Sequence, residues 1–275
     1  MKKVAIVGLG WLGMPLARQL AGRGWQVTGT KTTADGVQAA RAVGINACLL
    51  KLTPEPECDA DDLAGLLEAD ALVVTLPASR SAESSEQYVY AVQNIVDSAL
   101  AHKVKQVIFT SSTSVYGDAS GEVDENSPLR PVTPAGQSLV RLEQWLHDLP
   151  GTQVDILRLA GLVGPARHPG RFLAGKQGLT NGQHGVNLVH LDDVISAIVL
   201  LLEQPAQGGT YNLCAAGHPP RDQFYPQLAR QAGWQAPQFD PQFSSTEGKV
   251  VLAEHICRQR GFRYRWSDPF QMPLE

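Results

Sequence analysis

The 275-residue sequence predicts an α/β fold built on a doubly wound parallel sheet, and three observations carry that prediction. Short apolar runs alternate with helix-length amphipathic stretches along the first 160 residues. Those runs are apolar throughout, not alternating, as strands covered on both faces must be. The first run also ends in Gly8, Gly10 and Gly13, at G-x-G-x-x-G spacing.

Taken in order, Val4, Ala5, Ile6 and Val7 form the first strand and residues 12–20 a helix. Gly8 permits the tight turn, Gly10 lets the backbone approach a pyrophosphate, and Gly13 allows helix and strand to pack closely. Pro15 falls in the first helical turn, where its missing N–H costs little. The helix N-terminus supplies N–H groups that suit phosphate oxygens, and Leu9, Trp11 and Leu12 around it are expected to border the cofactor. This is a dinucleotide-binding arrangement of the Rossmann type; a merely structural glycine turn is the alternative. The second strand, residues 25–30, leads into Thr30, Lys31, Thr32 and Thr33, where an NAD site usually holds an acid for the ribose hydroxyls. A cation among hydroxyls suits the 2′-phosphate of NADP, which an acid would repel. The expected cofactor is therefore NADP, with NAD as the alternative if Lys31 is an ordinary loop lysine and Asp35 holds the ribose.

Further strands are expected at residues 47–52, 71–76, 107–110 and 154–159, and helices at 63–68, 81–102 and 135–149. Acids ending the loop at residues 53–62 could cap the first of these helices. Residues 118–133 read as a polar, proline-containing loop. Leu76 and Pro77, with Thr110 and Ser111, sit at strand ends and are expected to border the cofactor. Residues 1–160, rejoined by 187–204, form the NAD(P)-binding domain; 161–186 and 205–275 form a smaller C-terminal substrate-binding lobe.

Composition limits the function. Hydrophobic content of 43% and charged content of 18% are those of a globular protein. A net charge of −4 argues against nucleic acid or an anionic membrane as the main partner. Cys48, Cys58, Cys214 and Cys257 lack C-x-x-C spacing and read as reduced thiols of a cytoplasmic protein. The lysines and apolar run at the start superficially imitate a signal peptide, but the glycines inside that run favour strand and helix. No membrane span, zinc-ligand pattern, G-x-S-x-G elbow or repeat is present in the sequence.

Four further segments carry a resemblance that covers nearly the whole chain: FTSSTSVYGD from Phe109, ILRLAGLVGPARHPGR from Ile156, NLVHLDDVISAIVLLL from Asn187 and GGTYNLC from Gly208. In this order they resemble the extended and atypical short-chain dehydrogenase/reductases, a group of NAD(P)-dependent sugar epimerases, dehydratases and reductases. Extended members usually carry G-x-x-G-x-x-G, so the glycine loop here departs from them. A second departure concerns catalysis. Members use a Tyr-x-x-x-Lys pair in which the tyrosine passes the proton and the lysine lowers its pKa. The matching segment PVTPAGQSLVRLE puts Ala135 and Leu139 at those places, and neither moves a proton.

The resemblance implies that Ser112 hydrogen-bonds the substrate oxygen; a strand-end hydroxyl capping a turn is the alternative. Tyr116 is the tyrosine nearby in sequence that could replace the missing donor, against packing in the pocket wall. Arg158, Arg167, His168, Arg171 and Lys176 bring positive charge to a segment that forms part of the substrate pocket in relatives, and suit a carboxylate or phosphate. The alternative is solvated loop charge with contacts to cofactor phosphates. His190 precedes Asp192 and Asp193, either of which could cap the next helix; it either transfers a proton or holds loops together.

The sequence thus points to an NADP-dependent oxidoreductase or epimerase-like enzyme acting on a small polar or anionic carbonyl or alcohol. Ser112 and Tyr116 are its candidate catalytic residues, and the substrate cleft is expected above the carboxyl ends of the strands. A non-catalytic NADP(H)-binding sensor and a redox-neutral isomerase or lyase are the rivals. Helices 81–102 and 135–149, with Trp145, could build a homodimer interface of the kind common among relatives.

Overall fold

The computed structural model describes residues 2–79, 81–205, 207–243 and 248–274. The chain starts with β1 (Lys3–Val7), α1 (Gly13–Gly22), β2 (Gln26–Lys31), α2 (Ala34–Ala42) and β3 (Asn46–Leu49). A small antiparallel hairpin, β4 (Lys51–Leu52) and β5 (Pro56–Glu57), precedes α3 (Ala60–Leu67). Then come β6 (Ala71–Val74), α4 (Ala82–Ala101), β7 (Gln106–Ser112), β8 (Gly121–Val123), α5 (Pro134–His147) and β9 (Gln153–Leu159). The last third holds β10 (Gly161–Val163), α6 (Gly170–Leu173), β11 (Leu188–His190), α7 (Leu191–Glu203) and β12 (Gly209–Leu213). It ends with α8 (Arg221–Gln231), β13 (Lys249–Val251) and α9 (His255–Arg260).

The central sheet has seven strands in the order β12-β9-β7-β6-β1-β2-β3. β1 pairs in parallel with β2 and β6, β2 with β3, and β6 with β7. The chain leaves β1 toward β3 and then returns to β6 on the other side. That reversal beside β1 is the switch point at which such sheets bind ligands. Ala5, Ile6, Leu72, Val73, Val107 and Ile108 are fully buried, which accounts for the unbroken apolar runs. Helix starts are capped from the sequence: Thr33, Asp59, Ser81 and Thr133 accept amides of α2, α3, α4 and α5.

Local details differ from the sequence reading. The strand expected at residues 47–52 is split, because β3 ends at Leu49 and Lys51 and Leu52 turn to pair with β5. The expected loop at 118–133 contains β8, whose partner β13 lies near the other end of the sequence. Neither α2 nor this pairing is assigned by the sequence reading. A three-residue strand has no local signal when its partner is so distant.

The chain divides into two compact units. The first comprises Met1–Val115, Pro131–Leu157 and Ala197–Thr210, and the second Tyr116–Arg130, Arg158–Ser196 and Tyr211–Glu275. In the first, α4 and α5 pack together and Ser138 of α5 donates to the Ser85 carbonyl of α4. The second has its own core, in which Val163, Leu188, Phe224 and Leu228 are buried and Trp266 and Phe270 pack against them. No helix among the described residues is long and apolar enough to cross a membrane.

Candidate functional site

The glycine turn is fixed from two sides. Thr30, at the end of β2, accepts the Gly8 N–H on Oγ1 at 3.0 Å and the Leu9 N–H on its carbonyl at 2.9 Å. Just past the end of β6, Thr75 Oγ1 donates to the Gly8 carbonyl at 2.7 Å. Gly8 itself has φ 105°, a conformation that favours glycine. At Gly13 a Cβ would stand 2.0 Å from the Gly8 carbonyl oxygen, so only glycine lets α1 come this close to the turn. The amides of Gly10, Leu12 and Gly13 have no hydrogen-bond acceptor among the described residues.

Above this turn, in the first unit, lies a cavity of about 530 Å³. Gly8, Leu9, Gly10, Thr30, Lys31, Thr32, Leu76 and Pro77 line it, so most of the predicted cofactor residues are brought together. Trp11, Leu12 and Gly13 belong to the turn and helix start but do not line the cavity. Nor do Thr110 and Ser111, which are buried: Thr110 Oγ1 donates to the Val74 carbonyl, and Ser111 donates to the buried Glu143 carboxylate. Thr33 caps α2 through the Gly36 amide. Lys31, half-buried, has no hydrogen bond or ion pair among the described residues.

Two sets of lining residues escape the sequence reading. Leu50 and Leu52 reach the cavity where the chain leaves β3 for the hairpin. Ser84, Gln87, Tyr88 and Ala91 come from α4 at i, i+3, i+4 and i+7, one stripe of the helix. That stripe is a readable signal, overshadowed by the more apolar one through Val89, Val92 and Val96 that is buried. Tyr88 donates to the Leu76 carbonyl at 3.1 Å, and burial pushes its phenol above the usual range. The cavity therefore brings the Gly10 amide, without an acceptor among the described residues, together with the Lys31 cation and apolar walls. A dinucleotide, with its anionic pyrophosphate and flat adenine, fits that donor set. No acid is among the described residues that line it.

Ser112 ends β7, and its Oγ accepts the Ser114 amide at 3.1 Å, closing the turn while leaving the hydroxyl hydrogen to donate elsewhere. Ala135 and Leu139 both lie on α5, Leu139 in the core.

The remaining candidates belong to the second unit. Tyr116 is fully buried; its hydroxyl donates to Asn212 Oδ1 at 2.7 Å and accepts from Arg158 at 2.9 Å. Arg158, itself 4% exposed, also donates to the Glu125 carbonyl and lies over the Tyr116 ring. Burial raises the Tyr116 phenol, with Arg158 and Asn212 pulling the other way. A proton donor to substrate needs access, and this hydroxyl has none. Tyr116 as catalytic acid and Arg158 as substrate ligand do not fit this geometry.

His190 is likewise buried; Nε2 donates to the Pro273 carbonyl at 2.8 Å and Nδ1 accepts the Asp192 amide at 3.1 Å. Capping of α7 thus falls to His190 and not to Asp192 or Asp193, which lie in its first turn. Asp193 accepts the Arg265 and Trp266 amides instead, so the H-x-x-D segment fastens the end of the chain. A histidine with both ring nitrogens engaged is a positioning group, not a proton carrier. His168 and Arg171 border a separate cavity of about 670 Å³, while Arg167 is exposed in the preceding turn. No cluster able to hold a metal ion occurs among the described residues.

Comparison with known proteins identifies a family and likenesses of fold. The sequence profile of the NAD dependent epimerase/dehydratase family matches residues 4–214. Protein YeeZ of Escherichia coli (strain K12) is 62% identical over 275 residues, 100% of both chains. A functionally unknown conserved protein from Silicibacter pomeroyi superimposes with a TM-score of 0.74 at 25% identity, covering 98% of this chain and 95% of that one. A short-chain dehydrogenase/reductase superfamily protein from Agrobacterium tumefaciens, solved with bound NAD, gives 0.76 at 20% identity over 96% and 93%, a likeness of fold.

Proposed function

The chain belongs to the NAD dependent epimerase/dehydratase family, and from that premise we propose that it binds NADP in the glycine-loop cavity and acts as an oxidoreductase or epimerase-like enzyme. Its substrate is a small polar or anionic carbonyl or alcohol. The observation that carries the cofactor choice is the cavity lining: beside Thr32 stands Lys31, without a hydrogen bond or ion pair among the described residues, and no carboxylate is among the described lining residues. A carboxylate there would favour ribose hydroxyls, whereas an ammonium group favours a 2′-phosphate. When bound, the dinucleotide supplies hydride acceptance or donation at its nicotinamide. The chain's own part is to hold and orient. The amides of Gly10, Leu12 and Gly13 receive the pyrophosphate, and Lys31 and Thr32 the 2′-phosphate. Leu50 and Leu52 give the adenine an apolar wall. Ser112 turns its free hydroxyl hydrogen toward a substrate oxygen, and the proton itself comes from substrate or water, since no tyrosine–lysine pair is present.

Calorimetric titration with NADPH and NADH tests the assignment. The wild type should take NADPH in preference, and Lys31→Glu should weaken NADPH by about tenfold to a hundredfold while changing NADH little. Equal loss of both forms would remove Lys31 from the site. The absence of the usual dyad, together with the sealed Tyr116, also favours a second reading in which the protein binds NADP(H) without turnover and serves as a sensor. A metabolite panel followed by NADPH absorbance separates the two; Ser112→Ala should then lower turnover if the enzyme reading holds. The reading includes a homodimer through α4 and α5, where Tyr90 stands 45% exposed.

A further inference from the structure

Two cysteines that the cofactor site leaves unused meet where the chain departs from β3 for the hairpin. Cys48 lies in β3, 3% exposed, and pairs in register with Thr30 of β2, the residue that fixes the glycine turn. The hairpin pairing of Lys51 with Glu57 brings the next residue, Cys58, back beside the end of β3. There a hydrogen bond joins the two thiols, and the Cys48 sulfur also lies 3.8 Å from the Gly29 carbonyl oxygen. Both cysteines are free, and Cys58 is only half-buried. Leu50 and Leu52, which lie between them in sequence, line the dinucleotide cavity.

Thiols held in this way are set for oxidation to a disulfide, because the sulfur that must resolve a first oxidation already touches the one oxidised. Burial raises both thiols, that of Cys48 to about 12, while the hydrogen bond from Cys48 draws that of Cys58 back toward its ordinary value. Cys58, the more open and the readier to form thiolate, is thus the first to react, and Cys48 is the resolving thiol.

We propose that Cys48 and Cys58 form a reversible thiol–disulfide pair that a hydroperoxide closes and that loosens the bound dinucleotide when closed. The Cys58 thiolate attacks hydrogen peroxide, the O–O bond breaks, and hydroxide departs to leave a sulfenic acid. Cys48 then attacks that sulfur as the S–O bond breaks, and its proton and the leaving hydroxide make water. In sum, two thiols and one hydrogen peroxide give one disulfide and two waters. Bonded sulfurs sit closer than thiols in hydrogen-bond contact, so closure draws Cys58 toward β3 and moves the chain that carries Leu50 and Leu52. The effect on binding rests on the proposed cofactor site; the disulfide itself does not.

Peptide mapping of the full-length protein after hydrogen peroxide, beside NADPH calorimetry, tests both halves. Trypsin cuts after Arg41, Lys51 and Arg80, so a Cys48–Cys58 link joins two peptides that reduction separates. The treated wild type should show that link and bind NADPH at least about fivefold more weakly, and dithiothreitol should reverse both changes. Cys58→Ser should form no link and keep its NADPH affinity through the same treatment. Cys48→Ser should leave Cys58 as a sulfenic acid that dimedone traps. Oxidation without a Cys48–Cys58 link, a link through Cys214 or Cys257 in its place, or unchanged NADPH affinity in the linked protein would each overturn the proposal. NADPH binding by a protein that never forms the link would overturn this inference and leave the cofactor site standing. A link formed in a protein that takes no NADPH in either state would remove the cofactor site and leave the disulfide.

Discussion

Replacing Gly13 with alanine is expected to abolish dinucleotide binding and to lower the melting temperature, because the new methyl has nowhere to go. It would stand 2.0 Å from the Gly8 carbonyl oxygen, 3.0 Å from the Gly8 carbonyl carbon and 3.2 Å from Thr75 Oγ1. The two nearest are backbone atoms, which cannot swing aside. The carbonyl already accepts the Thr75 hydroxyl, and Gly8 is anchored through its amide to Thr30. Relief can come only by lifting α1 away from β1, which displaces the amides that would face the pyrophosphate. Inserting a methyl into a packed site typically costs about 1–3 kcal/mol, and a backbone clash belongs at or beyond the upper end. For a chain of this size a 3 kcal/mol loss lowers Tm by about 6–12 °C. Gly10→Ala is the matched control: nothing lies within 4 Å of its Cβ, so the fold should hold. That Cβ nevertheless intrudes where the backbone must approach a phosphate. Thermal melts with NADPH titration should show Gly13→Ala losing stability and binding together, and Gly10→Ala losing binding alone. A Gly13→Ala protein with native Tm and affinity would refute the packing argument.

What the sequence disclosed follows from the range of the forces involved. The buried strands were legible because β1, β6 and β7 each carry an unbroken apolar run, at residues 4–7, 71–74 and 107–109, and a cap for α3 because the acids ending the loop before it, Asp59 among them, act locally. The glycine turn was legible for the same reason. Its supports were not, since Thr75 acts across the sheet on a residue 67 positions away. The same holds for β8, which exists only by virtue of β13. The candidates assigned by resemblance met a different obstacle. A pattern names a position but not its exposure, and Tyr116, Arg158 and His190 all carry reactive groups that the fold turns inward. Their partners, Asn212, Glu125 and Pro273, lie on segments distant in sequence, so no local rule could separate packing from chemistry.

Tyr116→Phe tests that separation, and its expected outcome is a loss of stability without a loss of function. Removing the hydroxyl leaves Asn212 Oδ1 without its 2.7 Å donor and one Arg158 N–H without its 2.9 Å acceptor, both in the interior. Orphaned buried polar groups of this kind cost about 1–3 kcal/mol, more where one is charged. Denaturant unfolding should therefore show a lower midpoint at unchanged slope. NADPH affinity should not move, and any turnover found for the wild type should survive in the folded variant. The pH dependence gives an independent check. Burial raises this phenol above its ordinary 10.0, so above pH 10 the unfolded chain loses a proton that the folded one keeps. The contribution of the hydroxyl is thus complete below pH 10 and is lost as pH rises through the higher folded value. The stability gap between wild type and Tyr116→Phe should accordingly be widest near neutrality and narrow in alkali. A catalytic acid would show the opposite pattern: turnover removed by Tyr116→Phe, and a midpoint that stays where it was.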